Sequence, residues 1–294
     1  MLTSRTLLPA LALMLNAFIW GVSWWPFRQL QGLGLHPLWA TVLVYLVAVA
    51  VIAIARPHAF GQVLRTPALW VLVLASGTTN AAFNWGVSIG DVVRVVLLFY
   101  LMPLWVALLA RLLLKESLSA WAAVRVLLAL GGAAIVLWPE GGAGVPVPRS
   151  LPDWLGVVGG FSFALNNVML RREARQAEES RALAMFMGGV LVAGSLAVVL
   201  GASGRAPWPP APALGWVMLA VVLAVFFLLS NMALQYGAAR LPANVASVVM
   251  LTEVLFASSS ALLLGGGAMT PSLAWGGGLI LLAALLSTLE RPAH

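Results

Sequence analysis

One stretch restricts what this chain can fold into more than any other. From Val92 to Ser119 the residues are almost all apolar, and Pro103 stands near the middle of them. An apolar run of about twenty residues is long enough to cross a bilayer as a helix. Pro103 removes one backbone donor and leaves the carbonyl of Phe99 without its helical partner. In hydrocarbon such a group must be satisfied elsewhere, so irregular backbone persists only against protein or a water-filled cavity. The helix is therefore expected to line something.

The stretch has an echo at an offset of 150 residues. Pro242 to Met269 begins a second helix of like length, with Leu251-Thr252-Glu253-Val254 where the first has Leu101-Met102-Pro103-Leu104. Leu262-Leu263-Leu264 then matches Leu112-Leu113-Leu114. One copy carries a helix breaker at mid-depth and the other a carboxylate, and both are costly in lipid. Their coincidence within the repeat marks Pro103 and Glu253 as hinge or gate candidates.

The rest of the chain fits a membrane. Only 9% of its residues are charged and 62% are hydrophobic, against about 25% charged in soluble domains. The length of 294 residues holds about ten spans with short turns. They are expected near Leu7–Trp25, Leu38–Ala55, Leu69–Ser88, the opening stretch, Ala120–Trp138, Trp154–Leu170, Ala182–Leu200, Leu214–Tyr236, the echo and Leu273–Leu289. A first repeat over residues 1–138 and a second over 154–294 flank a Gly/Pro-rich connection at 139–153. The N-terminal run has no clear small-residue cleavage site and reads as a retained span.

Charge orients the bundle. With the N-terminus inside, Arg5, Arg56, Arg65, Arg111, Lys115, Arg125, Arg171, Arg172, Arg175, Arg181, Arg240 and Arg291 are cytoplasmic, and Arg28, Arg94, Arg149 and Arg205 lie outside. That bias places both termini in the cytoplasm. The net charge of +7 is scattered over helix ends, so a nucleic-acid partner is not indicated. Two homologous halves with five spans each must lie inverted relative to one another, the architecture of many secondary transporters. The expected fold is thus an all-α polytopic membrane protein, ten transmembrane helices in two inverted five-helix repeats around a central cavity.

Candidate cavity residues recur at matching depth. Trp20 and Trp24 share a helix face in the first span, as Asn80 and Asn84 do in the third. Tyr100 and Met102 flank the proline, Phe163 and Asn166 stand in the sixth span, and Asn231 stands in the eighth. Amides in membranes also bond between helices for about 1 kcal/mol each, and bulky aromatics also simply pack, so each has a plain packing alternative. Glu253 has three open roles: contact to a substrate amine, proton carrier, or structural partner of a broken helix. Asp91 and Arg94, three apart, are expected to pair at the interface. Glu116 is expected to help start the fifth helix, with Ser117 or Ser119 as cap.

Enzyme chemistry finds little footing. The chain has no cysteine, and its three histidines are His36, His58 and the terminal His294. Gly160-Phe161-Ser162-Phe163-Ala164 lacks the strand-to-helix elbow and the partner base of a serine nucleophile. No phosphate loop, metal cluster or cofactor motif stands in the sequence.

The pattern resembles the drug/metabolite transporter superfamily, in its EamA branch. The resemblance rests on Trp20-Gly21, Tyr100-Leu101-Met102-Pro103, the Leu-rich Leu112 to Glu116 followed by Ser117-Leu118, and a degenerate second copy ending Leu264-Gly265. That copy departs from the family pattern at Glu253 and Gly266. Within the branch it is most similar to YddG-type aromatic amino acid exporters, which implies a cavity at Trp20, Met102 beside Pro103, and Phe163. The implied protein is a bacterial inner-membrane exporter of aromatic and other neutral amino acids that works by alternating access, without a cofactor, and that can be monomeric. Other small metabolites, organic cations and drugs are alternative cargoes, and a membrane-embedded enzyme is the alternative of another class.

The topology is directly testable. A reporter fused after Arg291 should be cytoplasmic and one inserted in the connection at 139–153 periplasmic; finding both on one side would refute the inverted arrangement.

Overall fold

The computed structural model describes residues 4–115, 120–139, 144–238, 240–241, 246 and 249–289. The described residues form helices joined by short turns: α1 (Ser4–Val22), α2 (Trp24–Gly32), α3 (Pro37–Ala55), α4 (His58–Arg65), α5 (Pro67–Ile89), α6 (Val92–Phe99), α7 (Met102–Leu109), α8 (Ala120–Leu137), α9 (Leu151–Arg172), α10 (Glu178–Ala202), α11 (Leu214–Ala238), α12 (Thr252–Leu264) and α13 (Pro271–Leu289). A π-helical turn, Ala110–Leu114, follows α7. The expected cap of the fifth span, Glu116 with Ser117 or Ser119, lies outside the described residues, as does most of the segment from Pro242 to Val248.

Prolines open several of these helices, because a missing N–H is harmless in the first turn. Pro37 and Pro67 begin α3 and α5, and Pro152 stands in the first turn of α9. Side-chain caps supply the acceptors that the first N–H groups lack. The Asp91 carboxylate accepts from Arg94 N at 2.9 Å and Ser150 Oγ from Asp153 N at 3.3 Å.

The described parts of the expected spans fall largely on helix, yet fewer than ten meet the length and apolarity of a full crossing. Leu7–Gly32, Pro37–Ala55, Val92–Leu113, Glu178–Ala202 and Leu214–Leu234 do so, and α4 with α5, bent by 99°, makes a sixth if counted as one span. The shortfall has local causes. Gly156, Gly159, Gly160, Ser162, Asn166 and Asn167 dilute the apolar content of α9, and α12 is shortened at its start by the break before Thr252. The chain is an all-helical, multi-pass membrane protein.

The core is centred on α6. Val92, Val93, Val95, Val96, Leu97 and Leu98 are each at most 3% exposed, so this helix is apolar and covered all round, the mark of a central element. Around it, α9 packs against α5, α6 and α7, and α1 packs against α11 and α12. Two further pairs, α3 with α10 and α8 with α13, complete the bundle.

The carbonyl freed by Pro103 is covered by protein. A Cβ at Gly160 would collide with the oxygen, carbonyl carbon and Cα of Phe99, so α9 approaches α6 backbone to backbone there. Gly21 of α1 meets α12 in the same way, with Glu253 O and Phe256 Cβ each 2.8 Å from where its Cβ would stand. Small residues allow such crossings where water gives no hydrophobic drive between helices.

Replacing Gly160 with Leu should push α9 off α6 and abolish recovery of monodisperse protein in detergent. Gly131→Leu, at a glycine with open space around its Cβ position, should elute and melt like the parent.

Candidate functional site

Two helix breaks meet at the centre of the bundle. The fourth span is interrupted at Tyr100 and Leu101, between α6 and α7, and Pro103 is the second residue of α7. Leu251 precedes α12, whose second residue is Glu253. Across the gap the Tyr100 hydroxyl donates to Glu253 Oε2 at 3.3 Å. The carboxylate lies in the first turn of its own helix, where the unbonded N–H groups favour negative charge. Each partner comes from an interrupted helical segment.

Aromatic rings wall this junction. Phe99 contacts Tyr100 at 6.1 Å between ring centroids, Phe83 at 4.9 Å and Phe163 at 5.3 Å. Phe83 reaches Trp20 at 6.3 Å, and Trp20 reaches Phe227 of α11 at 4.6 Å. Trp20, Met102 and Phe163 pack against the core that holds Tyr100, so the structure brings four of the sequence candidates together. Those three and Glu253 keep part of their surface open, while Phe83, Phe99 and Tyr100 are buried.

The other candidates are placed differently. Trp24 is buried as the first residue of α2, where its indole N–H donates to Ser260 Oγ at 2.9 Å. Asn80 accepts from the Tyr45 hydroxyl at 2.6 Å and donates to Ser76 O at 2.8 Å. Asn84 donates to Thr41 Oγ1 at 3.1 Å. These two amides tie α5 to α3, the helix-packing role that was the plain alternative for them. Asn166 is buried on α9 with no partner for its Oδ1, and Asn231 is half-buried on α11. Sequence reasoning missed Phe83, Phe99, Tyr45 and Phe227, since a phenylalanine in an apolar helix gives no sign of whether it faces lipid or the interior.

One end of the bundle is held by a cluster around Arg28. Its guanidinium donates to the carbonyls of Gly90, of Val87 at 3.2 Å and of Gly266 at 3.2 Å, and lies over the Trp24 ring at 4.9 Å. Asp91 accepts from Ala268 N at 2.9 Å, and Val92 N donates to Gly266 O at 3.1 Å. The expected pairing of Arg94 with Asp91 is corrected here. Asp91 is occupied by helix capping and Ala268, and the Arg94 guanidinium instead takes Asp153 at 2.6 and 3.2 Å and Val136 O at 2.7 Å. At the opposite end Gln62 of α4 donates to Gln176 at 2.9 Å and accepts from Ser180 at 2.7 Å, beside a His58–Glu179 contact of 3.2 Å.

Comparison with known proteins agrees with this architecture. The model of the EamA-like transporter family matches residues 7–138, which carry Trp20, the broken fourth span and Pro103. Residues 7–138 are thus similar to the EamA-like transporter family. A solved structure described only as "Crystal structure of protein" is similar in fold, with a TM-score of 0.59 and 20% identity, covering 97% of this chain and 96% of that one. No curated protein matches the chain significantly.

The Arg28 cluster predicts a seal. The chain has no native cysteine, so a single Val87→Cys, at a residue 1% exposed beneath Arg28, reports access from that face. Adding Arg28→Gln should raise its labelling by a membrane-impermeant maleimide several-fold. Unchanged labelling would show that the cluster does not close that end.

Proposed function

We propose that this EamA-like transporter exports amino acids, aromatic and other neutral ones foremost, across the bacterial inner membrane by alternating access. The observation that carries the reading is the junction of the two breaks, Tyr100 against Glu253, inside a wall of aromatic rings. Discontinuous helices at mid-depth are where secondary transporters hold their substrates. Flat apolar rings suit an aromatic side chain, and the open portions of Trp20, Met102, Phe163 and Glu253 leave surface for it.

The packing supports two inverted five-helix halves. Exchanging the first span for the sixth, the eighth for the third and the ninth for the fourth turns the contacts of α1 with α11 and α12 into those of α9 with α5 and α7. The α3–α10 and α8–α13 pairs each map onto themselves under that exchange, as pairs on a two-fold axis do. With both termini cytoplasmic, the Arg28 cluster lies on the outer face and its bonds between the halves suit a state closed to the outside.

Purified protein in liposomes, offered labelled phenylalanine, leucine and organic cations with and without a pH gradient, tests this directly. Movement of the amino acids with saturable kinetics is the expected result; chemical conversion of a substrate, or movement of cations alone, would refute it. In the same assay Pro103→Leu should fold, bind substrate with modest change and transport slowly, because it restores the donor and stiffens the fourth span. Transport at the parent rate would reduce that span to a wall.

A further inference from the structure

We infer that Glu253 is the site for the ammonium group of the transported molecule. The inference rests on the transporter reading above and adds the chemical group that its central site recognises.

Glu253 stands in the first turn of α12 beside the break at Leu251. Among the described residues its side chain meets a single hydrogen-bonding partner, the neutral Tyr100 hydroxyl at 3.3 Å. The ion pairs between described residues involve His58 with Glu179, Arg94 with Asp153 and Arg172 with Glu173, none of which reaches the centre. A carboxylate offers about four lone-pair positions, so most of its accepting capacity is unused. Charges inside a membrane are found paired or lining a pathway, and among the described residues no cation stands as the partner of Glu253, which leaves that place to the substrate.

The surroundings favour an organic ammonium. Trp20, Met102 and Phe163, each half-buried, pack against the core that holds Tyr100, the partner of Glu253. Aromatic faces attract such cations by their quadrupoles, by about 0.5 to 2 kcal/mol or more where water is displaced. Rings and carboxylate together give a cation a counter-charge at one side and π-surface at the others. Tyr100 holds the carboxylate from the first copy of the repeat, which couples occupancy of the site to both breaks at once. A simple structural tie would need no ionisable group here, since a glutamine could accept the same hydrogen bond.

The experiment uses the full chain in detergent and in liposomes with three probes of one skeleton: phenylalanine, phenethylamine and 3-phenylpropionate. Binding is read by tryptophan emission and transport by efflux of labelled probe. Glu253→Gln, which keeps shape and the bond to Tyr100, should weaken phenylalanine and phenethylamine at least about tenfold and leave the carboxylate-only probe unchanged. Glu253→Asp should recover part of the loss, and elution profile with melting temperature establishes that each variant is folded. Affinities for both ammonium probes within twofold of the parent would overturn the inference, including the case where only dependence on the pH gradient is lost and the residue is a proton carrier. Equal weakening of all three probes would overturn it in favour of a structural role, and so would a parent that binds neither ammonium probe. A parent that moves phenethylamine but not phenylalanine, with the Gln variant losing it, would sustain this inference and refute amino acid export.

Discussion

The structure depends on keeping a broken helix dry. At Phe99 the fourth span gives up a backbone hydrogen bond in a place where no lipid can replace it. The repair is the close approach of α9, made possible because residue 160 has no side chain. Once that contact is required, α6 must be wrapped on every side, α9 must carry glycines and amides at the cost of apolarity, and the centre of the bundle is settled. The second break, before α12, has a different solution. Gly21 brings α1 against the main chain at Glu253, and a carboxylate stands in the first turn of the half-helix.

These two solutions divide the labour of the site. The fourth span contributes rings, through Phe99, Tyr100 and the aromatic contacts to Phe83 and Phe163. Helix α12 contributes the Glu253 carboxylate. The Tyr100–Glu253 hydrogen bond is one of several ties to α12 and the turn after it, beside those of Trp24 to Ser260 and of Arg28 to Gly266.

The sequence made the outline of this legible. Pro103 in the sequence points to the break of the fourth span, and the echo points to the region of Glu253. The unread parts are relations between distant segments. Asp91 and Arg94 are three residues apart and invite pairing, yet a helix start needs an acceptor and Asp91 supplies it. The guanidinium then finds Asp153, 59 positions away, a partner that nothing local points to. In the same way Asn80 and Asn84 looked like cavity groups until α3 supplied Tyr45 and Thr41 to receive them. A chain that is apolar nearly everywhere hides which face of a helix looks inward, and that is why Phe83 and Phe227 went unremarked.

The acceptors chosen by Arg28 have a consequence of their own. All three are main-chain carbonyls, and a carbonyl takes up no proton at any acidity a cell meets, while the guanidinium stays charged throughout. These three bonds therefore hold equally in acid and neutral surroundings, whereas the neighbouring tie from Ala268 N to the Asp91 carboxylate is of another kind.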